Sequence, residues 1–232
     1  MKNNRIKRLL FSALCLVMAL TAAGCGDQPQ TAPPLMDGYA LYETDTYSIQ
    51  YKQDHSVIDE AFLTGAKDEL LQMLTRMGLG NFLQFIDVQA IMDVLKSAAR
   101  DADVAFLEFG QSLFDIRASV TVHAWEGQGV PAWQFRSSLA RNVIEEKITE
   151  ALSQNLPPEA VRTLELEGKS LGNNYFYTLG YEYEVSGVRM LFYAAVTVYR
   201  QDVYIVTLTC APDDFEDKRP DFEKMLSTLT FK

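Results

Sequence analysis

Three consecutive segments between residues 175 and 210 constrain the fold of this chain more than any other feature of its sequence. Residues 175–185 alternate aromatic or apolar side chains with polar ones, which predicts a strand with one covered face. Residues 188–199 are apolar at nearly every position, as expected of a central strand covered on both faces. Ser186-Gly187 and Gln201-Asp202 are turn sequences that would join these strands and residues 203–210 as hairpins. The chain is therefore predicted to contain an antiparallel sheet with other layers on both of its faces.

The remaining periodicity supplies further strands and helices around this sheet. In chain order, the predicted elements are a hairpin over residues 39–52, strands over 103–109 and 118–125, a helix over 130–153, a helix that begins after Pro212 and a strand over 228–231. Strands dominate and short turns join most of them, so we predict an α+β fold with a central, mainly antiparallel sheet. In this interpretation residues 39–232 form one domain.

Between the first hairpin and the next strand, residues 56–100 change to helical spacing. Gly78-Leu79-Gly80 interrupts the apolar pattern, which predicts a hairpin of two helices inserted in the domain. The pair carries three methionines among its leucine, isoleucine and phenylalanine residues: Met73, Met77 and Met92. A methionine-rich groove adapts to varied partners, whereas the same pattern also describes two helices that pack on each other and on the sheet. Both interpretations stay open from the sequence.

The first 25 residues have the pattern of an export signal. Four basic residues precede a run of fifteen uncharged residues, shorter than the roughly 20 that a membrane-spanning helix needs. Small residues then lead to Gly24 and Cys25, and this block resembles the cleavage and lipidation site of a bacterial lipoprotein signal. We therefore predict a signal peptide over residues 1–24, cleavage between Gly24 and Cys25, and a lipid such as palmitate on Cys25.

Residues 25–38 are polar, rich in proline and without periodicity, so we predict a flexible tether between the lipid and the domain. Removing residues 1–24 takes away four basic residues and no acidic ones, which changes the net charge from −10 to −14. A protein this acidic repels both nucleic-acid phosphates and anionic lipid headgroups. The predicted membrane attachment therefore depends on the lipid of Cys25, and no nucleic-acid partner is expected.

Several segments share the order and character of a known fold family. They are the strand Tyr47-Ser48-Ile49-Gln50-Tyr51, a turn containing Gly168, the aromatic strand after it, and a final helix that ends in Leu226-Ser227-Thr228-Leu229-Thr230-Phe231. This order resembles the PsbP-like family, which includes an extrinsic subunit of photosystem II and many bacterial lipoproteins. The resemblance covers residues 39–52 and 103–232, and it implies an α-β-α sandwich around a central antiparallel sheet. Residues 56–100 depart from the family pattern as an insertion.

Few residues after position 25 have the spacing of a chemical site. The two histidines, His55 and His123, lie in different predicted elements. Cys210 ends an apolar strand with no histidine beside it, which predicts a buried and unreactive thiol. One acidic cluster occupies positions that favour the start of a helix; it consists of Asp213, Asp214, Glu216 and Asp217. We therefore predict no metal, no cofactor and no catalytic residue.

Aromatic residues concentrate in the strands between positions 175 and 204, and two interpretations of them stay open. They either line a ligand pocket or partner surface, or form the core of a sheet that helices cover. The candidate surface residues in the first interpretation are Tyr177, Tyr181, Tyr183 and Tyr193.

The sequence thus predicts a non-enzymatic lipoprotein on the extracytoplasmic face of a cell membrane, which binds or helps to assemble another envelope protein. The alternative is a module that binds a small molecule or a lipid through the aromatic strands or the helical pair. A hydrolase with carboxylate chemistry is the third hypothesis, and it requires a cleft that contains two carboxylates.

Overall fold

The apolar strands of the second half of the chain lie at the centre of the fold. The computed structural model describes residues 30–62, 72, 75–76, 102–110, 115–126, 131–137, 141–153, 156–185 and 187–232. Its strands are β1 (Tyr39–Glu43), β2 (Tyr47–Lys52), β3 (Ser56–Asp59), β4 (Val104–Phe109), β5 (Ile116–Trp125), β6 (Val161–Leu171), β7 (Asn174–Val185), β8 (Val188–Tyr199), β9 (Asp202–Cys210) and β10 (Thr230–Phe231). Its helices are α1 (Ala132–Phe135), α2 (Arg141–Ser153) and α3 (Phe215–Leu226), which follows a 3-10 turn at Pro212–Asp214.

The strands described here pair in two antiparallel sheets. The larger sheet has seven strands in the order β3-β4-β5-β9-β8-β7-β6, and the smaller has three in the order β1-β2-β10. Hairpins join β6 to β7, β7 to β8 and β8 to β9, so the last part of the large sheet is a meander. β8 lies inside the sheet, and Ala194, Ala195 and Val196 are buried on its two faces. An apolar residue at nearly every position of β8 is thereby explained.

Each face of the large sheet is covered by a different layer. On one face, α3 and the small sheet share a core that includes Phe222 of α3 and Tyr47, Ile49 and Phe231 of the small sheet. On the other face, α1 and α2 pack on β6, β7 and β8, with a core formed by Phe135, Ile144, Ile148, Leu166, Tyr177 and Leu179. The predicted α+β fold with a mainly antiparallel central sheet is confirmed.

One predicted element is corrected within the described residues. Residues 56–59, predicted as the start of a helix, form β3, because Val57 pairs with Phe106 of β4 and Ile58 is completely buried. A helix begins only after this strand, where the Asp59 carboxylate accepts a hydrogen bond from the Phe62 amide at 2.8 Å. Most of the predicted helical pair, with Met73, Met77 and Met92, lies outside the described residues, as does the predicted signal peptide with Gly24 and Cys25.

Two further boundaries differ from the prediction. The helix predicted over residues 130–153 begins as α1, leaves helical geometry at Ser137 and resumes as α2 from Arg141. The turn expected around Gly168 lies four residues later, at Gly172, whose φ is +59°. Gly168 itself stands in β6 opposite Tyr177, where a side chain would collide with the ring of Tyr175.

Residues 30–38, called the strap below, are held on the domain by hydrogen bonds. The Gln30 amide donates to the Phe231 carbonyl at 3.0 Å, and its side-chain amide donates to Asn174 Oδ1 at 2.9 Å. The buried side chain of Gln50 donates to the carbonyls of Pro33 and Pro34 at 3.2 and 3.0 Å. Gln50 Oε1 also accepts a bond from the Met36 amide at 2.9 Å. The prediction of a flexible tether over residues 25–38 is therefore wrong for residues 30–38, because buried amide side chains hold the backbone of this segment.

Candidate functional site

The four candidate tyrosines do not share one surface. Tyr177 and Tyr181 are buried beneath α1 and α2 on one face of the sheet. Tyr193 is buried on the other face, where its ring meets Phe215 and Phe222 edge-on at 5.2 and 5.7 Å between centroids. For these three residues the structure supports the core interpretation of the aromatic strands. None of the three rings is exposed on the surface of the domain.

Tyr183 differs from the other three because it lies near the free end of the β7–β8 hairpin. It pairs with Met190, and the next pair on the same face is Val185 with Val188, beside the turn. These four residues are called the β7–β8 tip. Val185 and Val188 are 50% and 57% exposed, whereas burial raises the pKa of the Tyr183 hydroxyl. The tip is therefore an apolar patch that begins in the core and ends in solvent.

The opposite face of this hairpin is charged. Arg189 bonds to Glu182 at 2.6 Å, and that hydrogen bond raises the pKa of the arginine. Glu184 and Asp213 add to the negative potential around the same guanidinium. One arginine faces three carboxylates, so the surroundings of the tip are net acidic. The sequence signal for this patch was two valines on either side of a turn, which by itself does not distinguish an exposed hairpin end from a covered one.

A crevice lies between α3 and strands β4 and β5, but it is too small for an organic ligand. Two ion pairs close it: Lys218 with Glu108 at 2.5 Å, and Lys52 with Asp221 at 2.5 Å. Its volume is about 20 Å³, room for roughly one water molecule. His55 lines the same crevice and bonds to Asp54 at 2.9 Å. The ion pairs across the crevice therefore join α3 to the strands, and the crevice has no room for an organic ligand.

A second charged network joins α3 to β6. Lys169 Nζ lies 2.9 Å from Glu223 and 3.3 Å from the Tyr193 hydroxyl, and Arg219 Nε donates to Glu223 at 2.8 Å. Burial alone would raise the pKa of Glu223, but the bonds from Arg219 and Lys169 outweigh it and hold the pKa below its usual 4.5. The guanidinium of Arg219 also lies over the ring of Tyr193 at 5.8 Å. This network holds α3 against the sheet.

Replacing Glu223 with glutamine is expected to lower the free energy of unfolding by about 2 kcal/mol at pH 7, the typical value of a hydrogen bond to a charged group. The lowered pKa means that the ionised carboxylate stabilises the folded state. Its contribution is complete above the unfolded pKa near 4.5 and is lost as the pH falls through the lower folded pKa. The difference between the wild type and the variant should therefore vanish in acid. Urea unfolding from pH 7 to pH 3 measures it.

Glu167 provides the matched control for this substitution. It lies 3.6 Å from the same lysine but is 62% exposed, so Glu167→Gln should change stability by less than about 0.5 kcal/mol at any pH. Equal losses in both variants, or a Glu223→Gln loss that persists in acid, would contradict the assigned role of Glu223.

Carboxylates with shifted pKa values are present, but they serve the fold. Burial raises the pKa of Asp103, which accepts a hydrogen bond from the backbone of Ala124. Asp59 accepts from the Tyr42 hydroxyl at 3.3 Å, and burial with this carboxylate raises the pKa of Tyr42 to about 12. In the described part of the chain, no three histidine, cysteine or carboxylate side chains are grouped so that they could hold a metal ion. The crevice beside α3 contains two carboxylates, those of Glu108 and Asp221, but each is paired with a lysine.

The remaining candidate residues also have structural surroundings. Cys210 is buried, and burial raises its pKa to about 11. His123 Nε2 lies 3.1 Å from the Thr121 hydroxyl, which in turn lies 2.6 Å from that of Thr207. The acidic cluster occupies the 3-10 turn and the first turn of α3, where Asp214 precedes the helix without capping it through its side chain. Among the described helices, none has the length and apolar character to cross a membrane.

Comparison with known proteins gives matches in structure only. No protein-family model and no curated protein sequence matches the chain. It is similar in structure to the PsbP of the cyanobacterium Synechocystis sp. PCC 6803, CyanoP, with 14% identity and a TM-score of 0.49 over 89% of this chain and 100% of that one. It is also similar to LpqN, involved in cell envelope biogenesis of Mycobacterium tuberculosis, with 11% identity and a TM-score of 0.36 over 56% of this chain and 71% of that one.

A protein from Bacteroides thetaiotaomicron is similar as well, with 9% identity and a TM-score of 0.42 over 80% of this chain and 45% of that one. Identities this low concern the fold alone, so the function proposed below rests on the residues of this chain.

Proposed function

We propose that this chain is a lipid-anchored protein of a bacterial cell envelope, which acts by binding another envelope protein through the β7–β8 tip and not by catalysis. The observation that carries the proposal is the exposed pair of Val185 and Val188, 50% and 57% accessible, at the end of the two longest paired strands. Paired valines at a strand end are costly in water unless a partner covers them.

The position of the tip fits a protein that is anchored at its N-terminus. The strap bonds to Asn174, the first residue of β7, and the tip lies at the last residues of that strand. β7 has 12 residues, which corresponds to about 36 Å at 3.3 Å per residue. A lipid on Cys25 would therefore hold one end of the sheet near the membrane and direct the tip away from it.

The charges around the tip indicate the chemistry of the partner. The exposed valines are apolar, while the opposite face of the same hairpin carries Glu182 and Glu184, which together with Asp213 act on Arg189. A complementary partner presents an apolar segment with lysine or arginine residues on either side. The buried aromatic strands and the small crevice give no comparable support for a small-molecule site.

The experiment is site-specific photocrosslinking in the organism that encodes the chain. A benzophenone amino acid at position 188 is compared with the same group at position 201, which is exposed in the turn at the opposite end of β8. We expect one discrete adduct from position 188, weakened at least about tenfold by Val185→Asp. The crosslinked peptide should be apolar and flanked by basic residues.

Two results would overturn the proposed binding role. One is the absence of a discrete adduct at position 188. The other is an adduct pattern at position 188 that position 201 reproduces and that Val185→Asp leaves unchanged.

A further inference from the structure

The hydrogen bonds of the strap begin only a few residues after the predicted lipid attachment residue, Cys25. Gln30 is fixed to Phe231 and Asn174 by three hydrogen bonds between 2.9 and 3.3 Å. Gln30 is five positions after Cys25, and a fully extended chain of five steps spans about 18 Å at most. A free tether from Cys25 to Tyr39 would span about 50 Å. Gln30 therefore stays within about 18 Å of the residue that would carry the lipid.

The strap presents an apolar face beside this anchor. Leu35 follows Pro34, whose carbonyl accepts from Gln50, and Leu41 is the cross-strand neighbour of Gln50 in β1. The two leucines thus flank the same buried glutamine, and they are 61% and 50% exposed. Two large exposed apolar side chains near the same glutamine, a few residues from the proposed lipid attachment point, form a surface suited to the boundary between headgroups and acyl chains.

The charge distribution favours the same face. Residues 28–36 carry no charge, although the chain from residue 25 onward has a net charge of −14, reached by removing four basic residues from a total of −10. Glu43, at the end of β1, is paired with Lys232 at 2.9 Å, and the exposed carboxylates nearest in sequence are Asp37, two residues after Leu35, and Asp45, beyond the end of β1. Anionic headgroups repel an acidic surface, so a nearly neutral face is the one that can approach them.

We propose that the face formed by the strap and β1, with Leu35 and Leu41 at its centre, rests on the lipid bilayer and fixes the orientation of the domain. This inference rests on the proposed lipidation of Cys25. The two leucines are too few to hold the domain on a membrane without the lipid. Once the lipid has brought the domain within 18 Å or less, however, they determine which side turns towards the bilayer.

The test measures the depth of nitroxide labels on the full-length, lipidated protein in vesicles of phosphatidylethanolamine and phosphatidylglycerol. Labels are attached to Leu35→Cys, Leu41→Cys and, as the control on the far tip, Val188→Cys. Cys210 is buried and its raised pKa, about 11, keeps it from reacting with the label. For each position, the accessibility to oxygen, which enters the bilayer, is divided by the accessibility to a nickel chelate, which stays in water.

We expect this ratio to be at least about threefold higher at positions 35 and 41 than at position 188. Equal ratios at the three positions, in protein whose mass shows the lipid, would overturn the orientation and leave the lipid anchor intact. Protection from both oxygen and nickel would also overturn it, because that is the signature of a protein contact. A mass that shows no lipid would overturn the proposed anchor and this inference together.

A second variant separates the strap from the leucines themselves. Gln50→Leu combined with Gln30→Ala removes the five side-chain hydrogen bonds that hold the strap, those of Gln50 with Pro33, Pro34 and Met36 and those of Gln30 with Asn174 and Phe231. Circular dichroism would show whether the sheets persist. With the strap released, the ratio at position 41 should fall to that at position 188. If the oxygen-to-nickel ratio at position 41 stays high in this variant, the conclusion that the bonded strap sets the orientation of the domain is overturned.

Discussion

Replacing Gly172 with alanine should lower the free energy of unfolding by more than about 3 kcal/mol. Gly172 has a φ of +59°, a conformation that costs a residue with a side chain about 1–2 kcal/mol. An added Cβ would also fall inside the van der Waals radius of the Ser227 carbonyl oxygen. The clashing oxygen belongs to the backbone of Ser227, which directly follows α3. The β6–β7 turn would therefore have to move away from the end of that helix. Urea unfolding followed by circular dichroism measures the loss.

Gly187 is the matched control for this prediction. It also has a positive φ, +83°, but a Cβ at this position would meet no atom within 4 Å. Gly187→Ala should therefore lower the free energy of unfolding only by the conformational term, about 1–2 kcal/mol. If the two variants lose the same stability, the close approach of Gly172 to Ser227 is not what fixes this turn.

Replacing Cys25 with serine is expected to abolish the incorporation of labelled palmitate into the protein. The thiol of Cys25 is the proposed attachment atom, and a serine hydroxyl cannot form the thioether. Cys15→Ser is the control, because Cys15 lies within the predicted signal peptide and should leave incorporation unchanged. Palmitate incorporation that survives Cys25→Ser would place the lipid on another residue. Loss of incorporation with Cys15→Ser would contradict the assignment of Cys25 as the attachment residue.

Where periodicity reports on the local environment, the sequence predicted the fold well. The uniform apolar character of residues 188–199 correctly indicated a strand with both faces covered. The alternation of Tyr47, Ile49 and Tyr51 correctly indicated the inner face of β2. In both cases the spacing of apolar residues is repeated over several positions, so burial leaves a readable pattern.

Residues whose role depends on distant partners were not predictable in this way. β3 has four residues, and Val57 fits a helical stripe as well as it fits a strand until Phe106 is known to lie opposite. The strap looked like a free tether because its order comes from Gln50 and Asn174, which lie 14 and 144 positions away from the residues that they bind. Such hydrogen bonds leave no periodic trace in a proline-rich segment.

The candidate site was only partly predictable for a related reason. Alternation placed Tyr177, Tyr181 and Tyr183 on one face of a strand, but it carried no information on how far the covering helix reaches. The structure shows that α1 and α2 cover the first two and leave the end of the hairpin open. Exposure of Val185 and Val188 thus follows from the lengths of different elements and not from their own sequence.

We propose that the mature protein begins at Cys25, which carries a lipid, and that the strap keeps the domain close to this lipid. The most direct measurement is the mass of the N-terminal peptide of the protein extracted from membranes with detergent. We expect a peptide that starts at Cys25 and carries at least two acyl chains, since one chain gives only reversible attachment. A peptide that starts elsewhere, or an unmodified Cys25 in the membrane-extracted protein, would contradict the claim.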